Sequence, residues 1–320
     1  MKHVFLFDPK AFYGQQWKMD GILDHIGEFF RTQEKPDFSI QFSRYRRNAM
    51  TIIQDEAEKA DSGKVIRVYA IGGEEILYDC LNAVAHFPDM QIAAVPYGES
   101  CDFLGIFGEG KTEKFRDIPS LVKSKALDTD LIKWGVNYAL NSCYIGLNSA
   151  MAAKVRELKT KMGAGSFFFF SRISSFINYI VTSFDSEIAN QEYEITVDDV
   201  DYNGKYSLIH VANGPCYEGR KTGLSNAAPD DGILDVALIK AAGPIKTMFS
   251  MRRYARGKRP RNGIFIQAKK VTVRSDKKMW IQLDNEYIQD TEIDLNIVPK
   301  AAQVVAVDNL SYPVPVVSNR

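Results

Sequence analysis

The chain has 320 residues, 45% hydrophobic and 25% charged, the balance of a globular protein long enough for two domains. Lysine plus arginine equals aspartate plus glutamate at 40 each, a neutrality that leaves little electrostatic footprint for nucleic acid. No apolar run approaches the ~20 residues of a membrane span, and Asp8 and Pro9 interrupt the N-terminal apolar stretch too early for a signal peptide.

In chain order, "HVFLFD" (His3–Asp8) reads as a buried strand and Trp17–Thr32 as a helix. "DFSIQFS" (Asp37–Ser43) is a strand and Arg47–Asp61 a helix. "VIRVYAIGG" (Val65–Gly73), a helix over Glu75–His86 and "QIAAVPYG" (Gln91–Gly98) follow. Such alternation predicts a parallel sheet covered by helices on both faces. Near residue 130 the texture changes to short strands separated by turn residues: "YALNSCYIGL", "EYEITVDDVDYNGKYSLIHVANG", "LDVALIK", "KKVTVRS", "MWIQLDNE" and "TEIDLNIV". This half reads as an antiparallel β sandwich interrupted by a helix over Ala150–Ser183, and the chain ends in a proline-broken tail.

Several stretches bear on chemistry. In "GGEEI", Gly72 and Gly73 follow a strand and open a helix, the arrangement that lets backbone N–H groups reach an anion. "VPYGESCDF" repeats the pattern at the next strand end, and two neighbouring glycine turns define a crevice of the kind open α/β sheets use for nucleotides. Simple connecting turns would look the same. "DDGILD" (Asp230–Asp235) offers oxygen ligands for Mg²⁺ or Ca²⁺, or an ordinary Asp-Gly hairpin turn. "LDNE" places Asp284 and Glu286 on one face, as a general base or a solvated turn.

Three stretches are open between binding and structure. "SRYRR" (Ser43–Arg47) offers arginines to phosphates or to solvent at a helix start. "MRRYARGKRPR" (Met251–Arg261) has six basic residues in eleven, suited to anionic lipid or to a solvated helix end. "GSFFFFSRISSFINYI" (Gly165–Ile180) has aromatics at helical spacing, for a core or a lipid groove. Cys80, Cys101, Cys143 and Cys216 lie far apart without a C-x-x-C pair, which suggests free thiols in a reducing cytosol.

From about His3 to Val307 these segments resemble, in order and spacing, the bacterial diacylglycerol kinase and lipid kinase family, with the best local matches in "FSRYRRNAMTII", "VYAIGGEEILYDCLNAVAHFP", "VPYGESCDF", "VANGPCYEG", "DDGILDVALIK" and "PKAAQVVAV". The resemblance implies a Rossmann-like α/β nucleotide-binding domain (residues 1–130, joined by a returning segment at 300–312) and an antiparallel β-sandwich lipid domain (residues 131–299). ATP and lipid would meet between them. Carried over by position, Asp8, Ser43, Gly72, Gly73, Glu74, Glu75, Gly98 and Glu99 fall where the family contacts nucleotide. Asp102, Asp284 and Glu286 fall at the catalytic positions, Glu286 as base, and Asp231 with the carbonyls of Ala228 and Ile233 at a structural Mg²⁺ site.

The departures concentrate on the phosphate side. Glu74, Glu75 and Ile76 stand where the family has aspartate, glycine and threonine. Glu99 replaces a threonine or serine, Cys101 an asparagine, Asp8 an asparagine and Asn285 a glycine. Two functional classes follow: a cytoplasmic, Mg²⁺-dependent lipid kinase using ATP, or a weak or inactive paralogue that binds lipid or a partner protein. The first is compatible with peripheral contact at the inner face of the membrane, and a homodimer is compatible with either.

Overall fold

The computed structural model describes residues 1–61, 63–97, 101–108, 110–162, 188, 191–217 and 220–313, with side chains of the helix at 147–162 described to residue 157. Gly98, Glu99 and the aromatic stretch 165–180 lie outside the described residues, as does the end of the helix expected over Ala150–Ser183.

The first half is built on β1 (Lys2–Phe7), β2 (Phe38–Phe42), β3 (Ile66–Gly72) and β4 (Met90–Pro96), hydrogen-bonded in the order β2-β1-β3-β4 and all parallel. Their sequences are runs of Val, Ile, Phe and Ala because both sheet faces are covered; all seven residues of β3 are buried. The connections are α1 (Gln16–Arg31), α2 (Asn48–Glu58) and α3 (Glu74–Val84), each amphipathic except α3. From Ile76 onward every residue of α3 is buried, Asp79 and Asn82 included, because this helix lies between the two halves. Asn82 closes that junction: its Nδ2 donates to the carbonyl of Tyr138 at 2.9 Å, and the Tyr138 N–H donates back to Oδ1 at 2.7 Å.

A short α4 (Ile118–Lys123), capped by the Asp117 side chain, leads into the second half. There follow β5 (Ala126–Trp134), β6 (Asn137–Ala139), β7 (Ser142–Gly146), α5 (Leu147–Met162), β8 (Glu192–Val197), β9 (Val200–Asp201), β10 (Gly204–Ala212), β11 (Cys216–Tyr217), β12 (Arg220–Lys221), β13 (Leu234–Lys240), α6 (Pro244–Tyr254), β14 (Gly263–Ala268), β15 (Lys270–Leu283) and β16 (Glu286–Val305). Pairing runs β14-β13-β10-β7-β15-β16, antiparallel throughout.

Three expected strands, at 269–275, 279–286 and 291–298, are two long ones. The polar "RSDKK" that reads as a turn is a register shift between Arg274 and Met279 inside β15. The strand over Ala126–Trp134 has no counterpart among the expected elements.

β16 spans the molecule. Its first part pairs with β15, its later part pairs with β5 from Asn296 to Val305, and Val304 bonds alongside Ile92 of β4. The ladder is thus continuous through both halves, while the apolar side chains separate. One cluster joins β1–β4 and α1–α3 with residues 302–307 and Tyr312. A second fills the antiparallel half from Ile132 to Leu295, and a third lies beneath α6 around Tyr144, Leu208 and Tyr254. All four cysteines are free and buried. Among the described residues no helix is long and apolar enough to cross a membrane.

Candidate active site

The β3–α3 turn sets one wall. A Cβ at Gly72 would sit 2.9 Å from Ile76 Cγ2 and 3.0 Å from Asp8 Cβ, so only glycine fits where the strand passes beneath the helix start. Gly73 caps α3 without a side-chain hydrogen bond, and the first-turn N–H groups lack intrahelical partners by construction. Glu74 and Glu75 occupy that first turn, where negative charge opposes the positive end of the helix dipole.

The two glutamates diverge. Glu74 accepts a 2.7 Å hydrogen bond from the backbone N–H of Asp102 and faces a depression of about 430 Å³ between the halves. Glu75 faces a second, smaller one of about 250 Å³ with Asp8, Lys10, Ser43, Arg46 and Asp79. Of the residues assigned from sequence to a single cradle, Asp8, Ser43 and Glu75 share a pocket, and Glu74 belongs to the neighbouring one with Asp102 and Asp284.

The smaller pocket is dominated by carboxylates. Burial raises the pKa of Asp8, opposed by the hydrogen bond that its side chain accepts from the Lys10 N–H (3.0 Å) and reinforced by Glu75. Burial likewise raises that of Asp79, which the Arg47 N–H (2.7 Å) holds down and Glu75 pushes up. Asp79, a residue missed in the sequence because it sits in an apolar helix, therefore belongs to the same basin. Burial works against the charge of Arg46, but Glu286, Glu75 and Asp79 outweigh it and raise its pKa.

Opposite stands the β15–β16 turn. Asp284 adopts φ 47° there, and its partly buried carboxylate accepts the N–H groups of Leu140 (2.6 Å), Asn141 (3.1 Å) and Ser142 (2.8 Å). Burial pushes its carboxyl up to about 6 against those three donors, with Asp102 adding to the rise. Asp284 thereby fixes the β6–β7 connection; its oxygens are engaged, which suits a positioning residue better than the base proposed for this turn. Glu286 reaches the other way, pairing with the Arg46 guanidinium and, at 3.4 Å, with Arg47 Nη2. Two of the three arginines of "SRYRR" are spent on a carboxylate some 240 residues distant in sequence.

Tyr78, Asn141 and Gln282 line the larger depression between these walls, and their Oη, Oδ1 and Oε1 atoms are buried without partners among the described residues. Asn141 is held by donation from its Nδ2 to the Cys216 carbonyl (2.8 Å), and Gly214 is required beside it, since a Cβ there would meet Asn141 Oδ1 at 2.3 Å. Asn213 donates to the carbonyls of Asp130 (2.7 Å) and Leu140 (2.8 Å), which gives "VANGP" a structural role. A polar pair inside the apolar "YALNSCYIGL" was the available signal for Asn141 and Ser142.

The third candidate region is the loop from Ala228 to Ile233. Asp231 Oδ1 accepts the Ile233 N–H at 3.0 Å, and Gly232 takes φ +72°, the geometry of a tight turn. Burial, then the neighbouring Asp130, raises the pKa of Asp230; Asp231 is raised by burial and by both aspartates. Carboxylate and carbonyl oxygens are the donor set a hard divalent cation takes, so these residues fit Mg²⁺ chemically. Among the described residues no three His, Cys, Asp or Glu side chains are grouped to hold a metal, so such a site would rest on carbonyls as well.

Residues 141–306 match the model of the YegS C-terminal NAD kinase beta sandwich-like domain. Proteins named "Putative lipid kinase" from Staphylococcus aureus strains N315 and Mu50 are 25% identical over 305 residues, covering 93% of this chain and 97% of their own. A crystal structure described as a diacylglycerol kinase from Bacillus anthracis strain Sterne superposes with a TM-score of 0.69 at 18% identity, covering 97% of this chain and 98% of the other. A second structure from that organism, described as a "putative diacylglycerol kinase", reaches 0.72 at 21% identity with the same coverage. The family match spans more than half the chain, and the relatives align end to end: the protein belongs to the lipid kinase family that carries the YegS C-terminal domain.

Proposed function

We propose that the protein is an ATP-dependent lipid kinase, transferring the γ-phosphoryl group to the hydroxyl of diacylglycerol or a similar lipid. The observation that carries this reading is the cleft itself. Glu74, Asp102 and Asp284 converge there beside Tyr78, Asn141 and Gln282, and Glu286 stands at the adjoining turn. A lining of carboxylate, amide and phenol side chains suits a hydroxyl-bearing headgroup, which supplies donors and acceptors together. Gly73 opens the helix whose first-turn N–H groups lack intrahelical partners, and Asp8 and Ser43 line the pocket beside that turn.

Glu286 is the base in this reading, and its ion pairs make it conditional. The incoming triphosphate is the stronger ligand for Arg46 and Arg47, and drawing them away frees the Glu286 carboxylate to take the acceptor's proton. Mg²⁺, when bound with ATP, supplies charge neutralisation of the phosphates. Mg²⁺ held by Asp231 with the carbonyls of Ala228 and Ile233 would brace the second half.

One observation favours the alternative, a weak or inactive paralogue that binds lipid: Glu75 adds a third carboxylate to the pocket of Asp8 and Asp79. The deciding experiment is transfer of label from γ-labelled ATP into organic-extractable phospholipid, with diacylglycerol in mixed micelles. The kinase reading expects Mg²⁺-dependent labelling that Glu286→Gln removes. No labelling, with lipid binding intact, supports the paralogue.

A further inference from the structure

Between Asp235 and Asp276 the chain runs 40 residues without an acidic side chain, and this stretch holds eleven of the forty cations. In a chain of zero net charge, the remainder is correspondingly acidic. The basic stretch folds as β13's end, α6 and β14, and α6 has two distinct faces. Thr247, Ser250, Met251 and Tyr254 are buried, at helical spacing, against the sheet. On the opposite face Ile245 is 68% and Phe249 62% exposed, one turn apart; Arg252 and Arg253 continue that face and Arg256 follows in the turn that ends the helix, all three exposed. Lys258, Arg259 and Arg261 are exposed just beyond the helix.

A solvated helix end accounts for the cations and leaves the two large apolar side chains without a reason. Nucleic acid accounts for the cations equally, but an aliphatic isoleucine gives a base nothing to stack on. A second copy of this chain would bring a cluster of like charge against it. An anionic lipid surface takes both features: acidic headgroups meet the arginines while Ile245 and Phe249 enter the acyl boundary.

We infer that α6 is a membrane-docking element, binding anionic phospholipid through Arg252, Arg253 and Arg256 and anchoring through Ile245 and Phe249. The helix is rigidly seated. Tyr254 Oη bonds His210 Nδ1 at 2.5 Å, and His210 stacks on Tyr144 with ring centroids 3.9 Å apart. Tyr144 in turn lies 4.8 Å from the ring of Tyr217, which lines the cleft. Docking by α6 therefore presents to the bilayer the half of the molecule that supplies the acceptor wall. The inference does not depend on catalysis, because it concerns binding without nucleotide.

The test is co-sedimentation of the full-length protein with phosphatidylglycerol–phosphatidylcholine vesicles and with pure phosphatidylcholine vesicles, nucleotide omitted. Binding to the anionic vesicles that weakens with added salt is expected. At about 1 kcal/mol per cation near an anionic surface, Arg252→Gln with Arg253→Gln should lower the partition coefficient roughly 30-fold. Ile245→Ser with Phe249→Ser should lower it at least about tenfold, the two side chains being only partly inserted. All four positions are exposed, and circular dichroism of each double variant confirms the fold. Equal partition to neutral vesicles, or binding unchanged in both variants and dependent instead on the exposed Trp17 of α1, overturns the inference. So does tight binding to RNA with none to vesicles. Failure here leaves the labelling experiment, done in micelles, untouched.

Discussion

The two walls of the cleft hold their carboxylates differently. At the β15–β16 turn, Asp284 is saturated by three backbone N–H donors and Glu286 by two arginines. At the β3–α3 turn, Glu74 is bonded to Asp102, but Glu75 lies beside Asp8 and Asp79, each of which it makes harder to ionise. The first wall is internally balanced; the second sets three carboxylates against Lys10 and Arg46, in the pocket proposed above for the nucleotide's phosphates. The residues that depart from the family therefore gather on one wall, where Glu75 adds its charge to those of Asp8 and Asp79, while the other wall keeps its carboxylates paired.

The largest effect expected from breaking this contrast is at Glu286. Glu286→Gln keeps the side chain's shape and removes the base, so labelling of lipid should fall about 100- to 10,000-fold. Stability should change little, since the Arg46–Glu286 pair is half exposed on the arginine side. A variant with wild-type turnover would assign the proton to another group.

Asp284 should behave in the opposite sense. Asp284→Ala strands three buried N–H groups and should cost on the order of 3 kcal/mol in urea unfolding, before any effect on chemistry. A loss below about 1 kcal/mol would show that the nest is dispensable. The linkage sign is fixed by burial: with its folded pKa near 6, above the ordinary carboxylate value, Asp284 contributes stability fully at low pH and loses it as pH rises through 6. Asp284→Asn lacks that dependence, so wild type should lose stability relative to the variant between about pH 4 and 6, by up to roughly tenfold in unfolding constant per pH unit.

How far the sequence announces this contrast depends on the distance over which its causes act. The parallel strands and the glycine turn are legible because their apolar runs and turn residues are local, and boundaries fall within two residues for β1, β2 and β3. The divergence of Glu74 and Glu75 is not, because adjacent helical residues point about 100° apart and the outcome depends on where the neighbouring strand ends. The capture of Glu286 by Arg46 and Arg47 joins segments from opposite ends of the chain, and no local pattern encodes it. The merged β15 was hidden by polar residues that suit an exposed, shifted strand as well as a turn.

A smaller effect is expected at the 228–233 loop, the site proposed for Mg²⁺. At Mg²⁺ tenfold above its dissociation constant, binding to the folded state alone adds about 1.4 kcal/mol. Thermal unfolding should therefore rise with Mg²⁺ in wild type and respond less in Asp231→Ala. An identical Mg²⁺ response in both proteins would make "DDG" a turn and nothing more.

The most direct measurement is a calorimetric titration of Mg-ATP into wild type and Glu75→Gly at fixed salt. Removing one unneutralised carboxylate near the phosphates, and restoring glycine at the helix start, should tighten binding by about tenfold or more. Wild type should bind weakly and improve as Mg²⁺ rises. Tight binding by wild type, or no gain in Glu75→Gly, would contradict the claim that the nucleotide wall is retuned by its own negative charge.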